Sequence, residues 1–404
     1  MEVRPEKAGM SEDRLEWITE HINRSYIDNN KISGCQVLVS RHGHPAYFRS
    51  FGKMDIERDK EMADDAIFRI YSMTKPITSI ALMQLYERGY FQLNDPVSRF
   101  IPDWKGHQVY VSGEGEEMLT KEPASPMSLR HILSHGGGLT YGNTGHPVDQ
   151  QYRKHKVDKR KGQTLRSFVT CLAKVPLMYE PGERWLYSLS TDVCGYLVEA
   201  ISGQPFDEYL QEHIFEPLNM RDTSFYVEED KVQRFTANYQ RNPDKSLKLF
   251  DDPQASTYLE KPTFFSGGGG LTSTIADYYS FCEMLRCGGE GYGKQIIGPR
   301  TLSLMTRNHL LDGKDLTQLA MGGFSETANE GVGFGLGFAM TLGEVKTGGL
   351  GAGDYYWGGA ASTIFWVDPV EDLIVIFMTQ LMPSGTFNFR GQLKNIVYSS
   401  IVGC

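Results

Sequence analysis

The sequence predicts an α+β protein, in the broad α/β class, whose sheet is built from both ends of the chain around a largely helical middle. Three observations predict it. Runs rich in β-branched and aromatic residues lie at Cys35 to Phe51 and again beyond Gly335. Helical patterns with long polar loops fill the region from about Asn94 to Ser266. At 404 residues the chain exceeds the usual size of one core, so two packed units are expected.

The elements follow in order. After Ser11, a potential N-cap, Leu15, Ile18, Ile22 and Tyr26 recur at helical spacing until the turn residues Asp28 to Asn30. Cys35 to Ser40, a turn at Arg41 to His44, and Pro45 to Phe51 read as a β-hairpin. Thr74 to Arg88 has Pro76 near its start and Gly89 just past its end, the asymmetry of a helix, and Ile77 to Leu85 is apolar nearly all round, so this helix is expected to be buried. Gly335 to Leu342, Tyr355 to Gly358, Ser362 to Val367 and Leu373 to Gln380 are strand-like, with Asp368 to Asp372 as a tight turn. Gln392 to Ile401 closes the chain as a helix with Leu393, Val397 and Ile401 on one face.

Composition excludes several classes. A hydrophobic share of 40% with 23% charged residues is that of a globular protein, not of a disordered chain or a coiled coil. The net charge of -9 argues against nucleic acid as a partner. The basic run Arg153 to Lys161 reads as a solvated loop. No stretch approaches the roughly 20 apolar residues a membrane helix needs, and the start lacks the apolar core of a secretory signal. Cys35, Cys171, Cys194, Cys282, Cys287 and Cys404 lie at irregular spacings, which suggests reduced thiols in a cytoplasm.

Three segments could carry chemistry. Ser72-Met73-Thr74-Lys75 is an S-x-x-K at the start of the buried helix, which puts serine and lysine on one face a turn apart. A serine hydroxyl needs a base, and an amine serves if burial or neighbouring charge lowers its pKa. The helix start adds backbone N–H groups that favour an oxyanion. Read alone, the motif is also a capped helix with a solvated lysine. Tyr187 follows the turn Pro181-Gly182 and precedes an apolar helix from Val193 to Ile201. A phenol passes protons when a cation such as Lys75 assists it, although an isolated tyrosine is usually a core residue. Trp357-Gly358-Gly359-Ala360 ends a strand whose edge could offer an N–H to a substrate, or could be an ordinary bulge.

Other motifs are set aside. Gly288 to Lys294 nearly spells a phosphate loop, but Gln295 stands where Mg²⁺ coordination needs Ser or Thr. His131 and His135 share a helical face without an H-E-x-x-H, so no metal is expected. Gly267 to Gly270 could cradle a phosphate or form a turn beside a pocket. No G-x-S-x-G elbow occurs.

In order and approximate spacing, the three boxes resemble those of the class C β-lactamase and penicillin-binding-protein superfamily, and the chain is similar to the family VIII carboxylesterases. The likeness extends to LRHILSHGGGL at Leu129 to Leu139, EPLNMRDTSF at Glu216 to Phe225 and FFSGGGGLTST at Phe264 to Thr274. It implies a serine β-lactamase-like fold: an antiparallel sheet flanked by helices, formed by residues 1–71 and 285–404, with a mostly helical unit, 72–284, and an active site in the cleft between. It implies Ser72 as nucleophile, Lys75 and Tyr187 as proton carriers, the backbone N–H groups of Ser72 and Ala360 as oxyanion hole, and Trp357, Gly358 and Gly359 against the substrate. Either Lys75 or Tyr187 could take the serine proton, because coupled groups titrate as a pair. No cofactor or metal is implied.

Two departures bear on substrate. The Y-x-N box reads Tyr187-Ser188-Leu189, and the K-T-G box reads Trp357-Gly358-Gly359, so a substrate carboxylate loses its cationic partner. A literal Lys346-Thr347-Gly348 precedes a glycine-rich stretch and reads as loop. The expected activity is therefore hydrolysis of small neutral esters through an acyl-enzyme, with weak β-lactam hydrolysis conceivable. The alternatives are acyl transfer by the same acyl-enzyme and a non-catalytic ligand-binding relative.

Overall fold

The first helix, α1 (Glu12–Ile22), begins at the expected cap: Ser11 Oγ accepts the Arg14 N–H at 3.4 Å, and Glu12 and Asp13 complement the first turn. The computed structural model describes residues 2–157, 159, 161–321 and 330–402. Cys404, and Asp158 and Arg160 of the basic run, lie outside the described residues.

Strands β1 (Gly34–Arg41) and β2 (His44–Asp55) form the predicted hairpin, with an irregular register between Val39 and Ser40. The short β3 (Lys60–Glu61) continues it. From the other end of the chain come β4 (Val332–Phe334), β5 (Ala339–Thr341), β6 (Tyr355–Gly358), β7 (Ile364–Asp368) and β8 (Leu373–Thr379). They form one eight-stranded sheet in the order β4-β5-β6-β7-β8-β1-β2-β3, antiparallel throughout. The two ends of the chain meet in its middle, where β1 pairs with β8 from Cys35↔Thr379 to Arg41↔Leu373.

Helices cover both faces. Phe377 on β8 lies opposite Ile364, so Phe365 points to the other side. Phe377 meets Phe389 of the last helix (Phe389–Ser399) with ring centroids 4.7 Å apart, whereas Phe365 meets Tyr278 of the helix Ile275–Arg286 at 5.1 Å. Every residue of β1, β7 and β8 is accordingly buried.

The helix α2 (Thr74–Glu87) is buried from Thr74 through Leu85, as its all-round apolar sequence predicts, and packs on α3 (Ser190–Ser202). Gly89 follows it at φ +78°. One continuous hydrophobic core joins Ile18, Leu82, Leu197 and Phe365.

Two expectations are corrected. Gly335 to Leu342 is not one strand: the chain turns between β4 and β5. A Cβ on Gly335 would lie 2.1 Å from the Met305 carbonyl, and Gly337 sits at φ +92° against Ser79, so the glycines seat a turn on neighbouring elements. The middle also holds strands that helical patterns do not reveal. Asn238–Arg241 pairs with Leu247–Asp251, and Leu381–Met382 joins that pair in parallel. Asn238–Arg241 carries a single apolar residue, Tyr239, and no residue of Leu247–Asp251 is fully buried, so neither shows the apolar run of a core strand.

The five described cysteines are unpaired, with Cys35, Cys194 and Cys282 buried. Among the described residues no helix is long and apolar enough to cross a membrane.

Candidate active site

Ser72 lies in a 3₁₀ turn, Tyr71–Met73, that runs directly into α2. The residue before it, Tyr71, is held at φ +41°, a left-handed conformation that costs a non-glycine residue energy and re-aims the chain. Its hydroxyl accepts the Asn238 side-chain N–H at 3.1 Å, and the Ile70 N–H donates to the Leu271 carbonyl at 3.1 Å.

One turn on, Lys75 is 1% exposed. Its Nζ donates to Ser72 Oγ at 3.1 Å and to the Gly268 carbonyl at 2.6 Å. From a separate part of the chain, the Tyr187 hydroxyl donates to Ser72 Oγ at 2.6 Å. Lys75 Nζ stands 4.5 Å from the Tyr187 ring centroid. The serine oxygen thus meets an amine and a phenol at once, so a proton can pass between it and either group.

Tyr187 is fixed by the turn before it and the rings around it. Gly182, at φ +89°, donates its N–H to Gly136 at 2.8 Å, and a Cβ there would lie 2.9 Å from His131 Nε2. The rings of His135, Tyr141 and Trp357 surround Tyr187 at 5.0, 5.3 and 5.4 Å. His135 is fully buried, and burial first, then the charge of Lys75, hold its imidazole well below the ordinary histidine value. Its Nδ1 is 3.2 Å from Ser188 Oγ, which in turn is 2.8 Å from Ser190 Oγ. His131 is pushed down to about 4, by burial and then by Arg130, and its Nδ1 accepts the Ser128 N–H at 3.3 Å.

The two histidines do not share a helical face as expected. The helix ends at Leu133, and His135, at φ +57°, turns its ring toward Tyr187. Among the described residues no group of three His, Cys, Asp or Glu could hold a metal.

The end of β6 stands beside the serine's turn. Gly359 donates to the Thr363 carbonyl at 2.7 Å, and a Cβ on it would come within 2.5 Å of the Ile70 carbonyl, two residues before Ser72. Trp357 is buried, and Ala360 follows in the same turn. Lys346 instead lies on a short exposed helix, Glu344–Thr347, with its Nζ 3.7 Å from Asp315. Gly288 to Lys294 forms a small hairpin after a helix. Gly267 to Gly270 is a turn, the Gly270 N–H donating to Ser266 at 2.9 Å, and it presents the carbonyl that Lys75 meets.

Tyr141, Asp192 and the contact of His135 with Tyr187 went unread in the sequence. Asp192 lies in the first turn of α3, where an acid is expected for the helix dipole alone, and Tyr141 belongs to no spacing rule.

With the site described, its relatives can be placed. A family model described as Beta-lactamase matches residues 19–397. The chain belongs to the Beta-lactamase family. Within the curated proteins this family member is 30% identical over 365 residues to an uncharacterized protein of Mycobacterium tuberculosis, MT1414, covering 89% of this chain and 88% of that protein. It is 28% identical over 374 residues to Esterase EstB of Burkholderia gladioli, covering 88% of each. Among solved structures it superposes on EstCE1, described as a hydrolase with promiscuous acyltransferase activity, with a TM-score of 0.79 and 26% identity over 96% of this chain and 99% of that one. The β-lactamase-like fold and the esterase likeness read from the sequence both agree with these relatives.

Proposed function

We propose that this Beta-lactamase family member is a serine carboxylesterase that hydrolyses small neutral esters through an acyl-enzyme on Ser72. The observation that carries the reading is the meeting of Lys75 Nζ and the Tyr187 hydroxyl on Ser72 Oγ, at 3.1 and 2.6 Å. The Lys75–Tyr187 pair removes the serine proton, Ser72 Oγ attacks the ester carbonyl, and the pair returns the proton to the departing alcohol. Water then enters by the same route and releases the acid.

The N–H groups of Ser72 and Ala360 bind the oxyanion. Among the described residues, the Ala360 N–H donates to no acceptor, which leaves it available. Trp357, Gly358 and Gly359 lie along the substrate. On this reading residues 1–71 and 285–404 supply the β6 edge, and residues 72–284 supply Ser72, Lys75 and Tyr187. The unpaired thiols, with Cys287 exposed, suit a reducing compartment such as the cytoplasm.

The likeness to EstB and EstCE1 supports ester chemistry. The acyltransferase activity described for EstCE1 favours a second reading, transfer of the acyl group to an alcohol or amine that outcompetes water. The Ser72→Ala variant should lose turnover of short-chain nitrophenyl esters while keeping its fold, and retained turnover would remove Ser72 from its role. Product analysis with added acceptors separates hydrolysis from transfer. A Ser72 inert to fluorophosphonate in folded protein would instead favour a non-catalytic binding role.

A further inference from the structure

The four glycines at Gly267 to Gly270 are unexplained by ester chemistry alone. The structure gives a reason for three of them. A Cβ on Gly267 would lie 2.6 Å from the Thr191 carbonyl, one on Gly268 would lie 2.6 Å from Asp192 Oδ2, and one on Gly270 would lie 2.9 Å from Phe225. The turn is bare so that it can lie flat on the start of α3, against Asp192.

Asp192 is 1% exposed. Its Oδ1 accepts the Ser266 hydroxyl at 2.5 Å and the Gly268 N–H at 3.1 Å. Its Oδ2 is buried and has no hydrogen-bond partner among the described residues. A buried carboxylate oxygen without a donor is costly and calls for a compensating role. Gly268 is clamped at both polar atoms, its N–H by Asp192 and its carbonyl by Lys75 Nζ at 2.6 Å. The carboxylate therefore lies one glycine behind the amine that touches Ser72.

We propose that Asp192 is a positioning residue for Lys75: it seats the glycine turn so that the Gly268 carbonyl meets the amine, and its negative charge favours the ammonium form. The inference rests on the assignment of Lys75 as a proton carrier. Other titratable groups facing Lys75 include the Tyr187 and Tyr141 rings and the buried His135. The histidine is kept neutral, and Asp192 supplies a carboxylate directly behind the glycine turn. With Lys75 held as a cation, the group that takes the Ser72 proton is Tyr187 in its phenolate form, which the adjacent ammonium stabilises.

The test reads the rate at which a fluorophosphonate labels Ser72, by intact mass, across pH, beside turnover of a short-chain nitrophenyl ester. Labelling needs an activated serine but no ester turnover. A parent that is labelled yet inert on esters fails the esterase reading alone and still tests Asp192. In Asp192→Asn the amide oxygen can still accept from Gly268 and Ser266, so the turn stays while the charge goes. The acid-side midpoint of the labelling profile should move down by roughly half to one pH unit, because the Lys75–Tyr187 pair loses its proton more readily once the buried anion behind it is gone. Ser266→Ala loses a hydroxyl but keeps the charge, and its midpoint should stay.

An unchanged midpoint in Asp192→Asn, or an equal shift in Ser266→Ala, overturns the proposal. Should Asp192→Asn not fold, Asp192→Glu keeps the charge and displaces the clamp. It should then lower the labelling rate at a constant midpoint, and an unaltered rate refutes the role.

Discussion

Replacing Tyr187 with Phe removes one oxygen and leaves the ring. The phenol donates to Ser72 Oγ at 2.6 Å, while the ring keeps its contacts with His135, Tyr141 and Trp357. Two magnitudes decide what should be seen. A side-chain hydrogen bond contributes about 0.5–1.5 kcal/mol to folding. A group that carries the proton in the transition state is worth roughly 10²–10⁴ in rate, or about 3–5 kcal/mol. The variant should therefore lose at least about a hundredfold in kcat on a nitrophenyl ester. Its KM should change little, since the hydroxyl is aimed at Ser72. Urea unfolding and steady-state kinetics on the same preparation separate the two effects. A kcat within tenfold of the parent, in folded protein, would show that Lys75 alone carries the proton and would refute the shared role.

Three further outcomes follow from other parts of the structure. Gly359→Ala places a Cβ within 2.5 Å of the Ile70 carbonyl, a backbone atom that cannot step aside cheaply; an overpacking cost of about 1–3 kcal/mol should lower the Tm by several degrees and reduce kcat by moving the Ser72 turn. Lys394→Met strands Asp354, whose carboxyl is fully buried in an ion pair with Lys394. Breaking such a pair costs about 3–5 kcal/mol, measurable by urea unfolding, and adding Asp354→Asn should recover part of it. His131 is held at about 4 in the fold, below the 6.5 of a free histidine. The unfolded chain binds that proton first, so the related stability is full above about 6.5, falls as pH drops toward about 4 and is level below. A series of Tm values against pH should show His131→Gln falling less steeply than the parent in that window.

What could be read beforehand was whatever repeats locally. The hairpin β1–β2 shows in its β-branched run and turn. The burial of α2 shows in an apolar sequence with no polar stripe, and the S-x-x-K shows because serine and lysine sit one turn apart where the 3₁₀ turn runs into α2. Contacts set by tertiary packing were not legible. Tyr187 is 115 residues from Ser72, and spacing alone offers no reason to join them; only the resemblance of the three boxes did so. The Asn238–Arg241 strand was missed because its register comes from Leu247–Asp251 and Leu381–Met382, not from an alternation of its own. The turn at Gly335 and Gly337 was read as strand because its glycines are fixed by Met305 and Ser79, remote in sequence. Asp192 was hidden for the opposite reason: its position has a sufficient local explanation in the helix start, which masks the contact with the glycine turn.

The rings at the site also argue for uncharged substrates. An anionic group beside Ser72 would meet the half-buried rings of Tyr187 and Tyr141, whose faces are electron-rich. The imidazole among them, His135, is kept neutral by burial and by Lys75. Lys75 itself is directed to Ser72 Oγ and the Gly268 carbonyl, an arrangement suited to the reacting atoms and not to a distant carboxylate. A substrate carboxylate would give up its water for faces that repel it, a cost of several kcal/mol. An ester carbonyl carries no such charge in the ground state. It becomes negative only as the tetrahedral intermediate forms, where, on the proposed reading, the N–H groups of Ser72 and Ala360 receive it. The same lining that disfavours acids therefore concentrates electrostatic stabilisation on the transition state of a neutral ester.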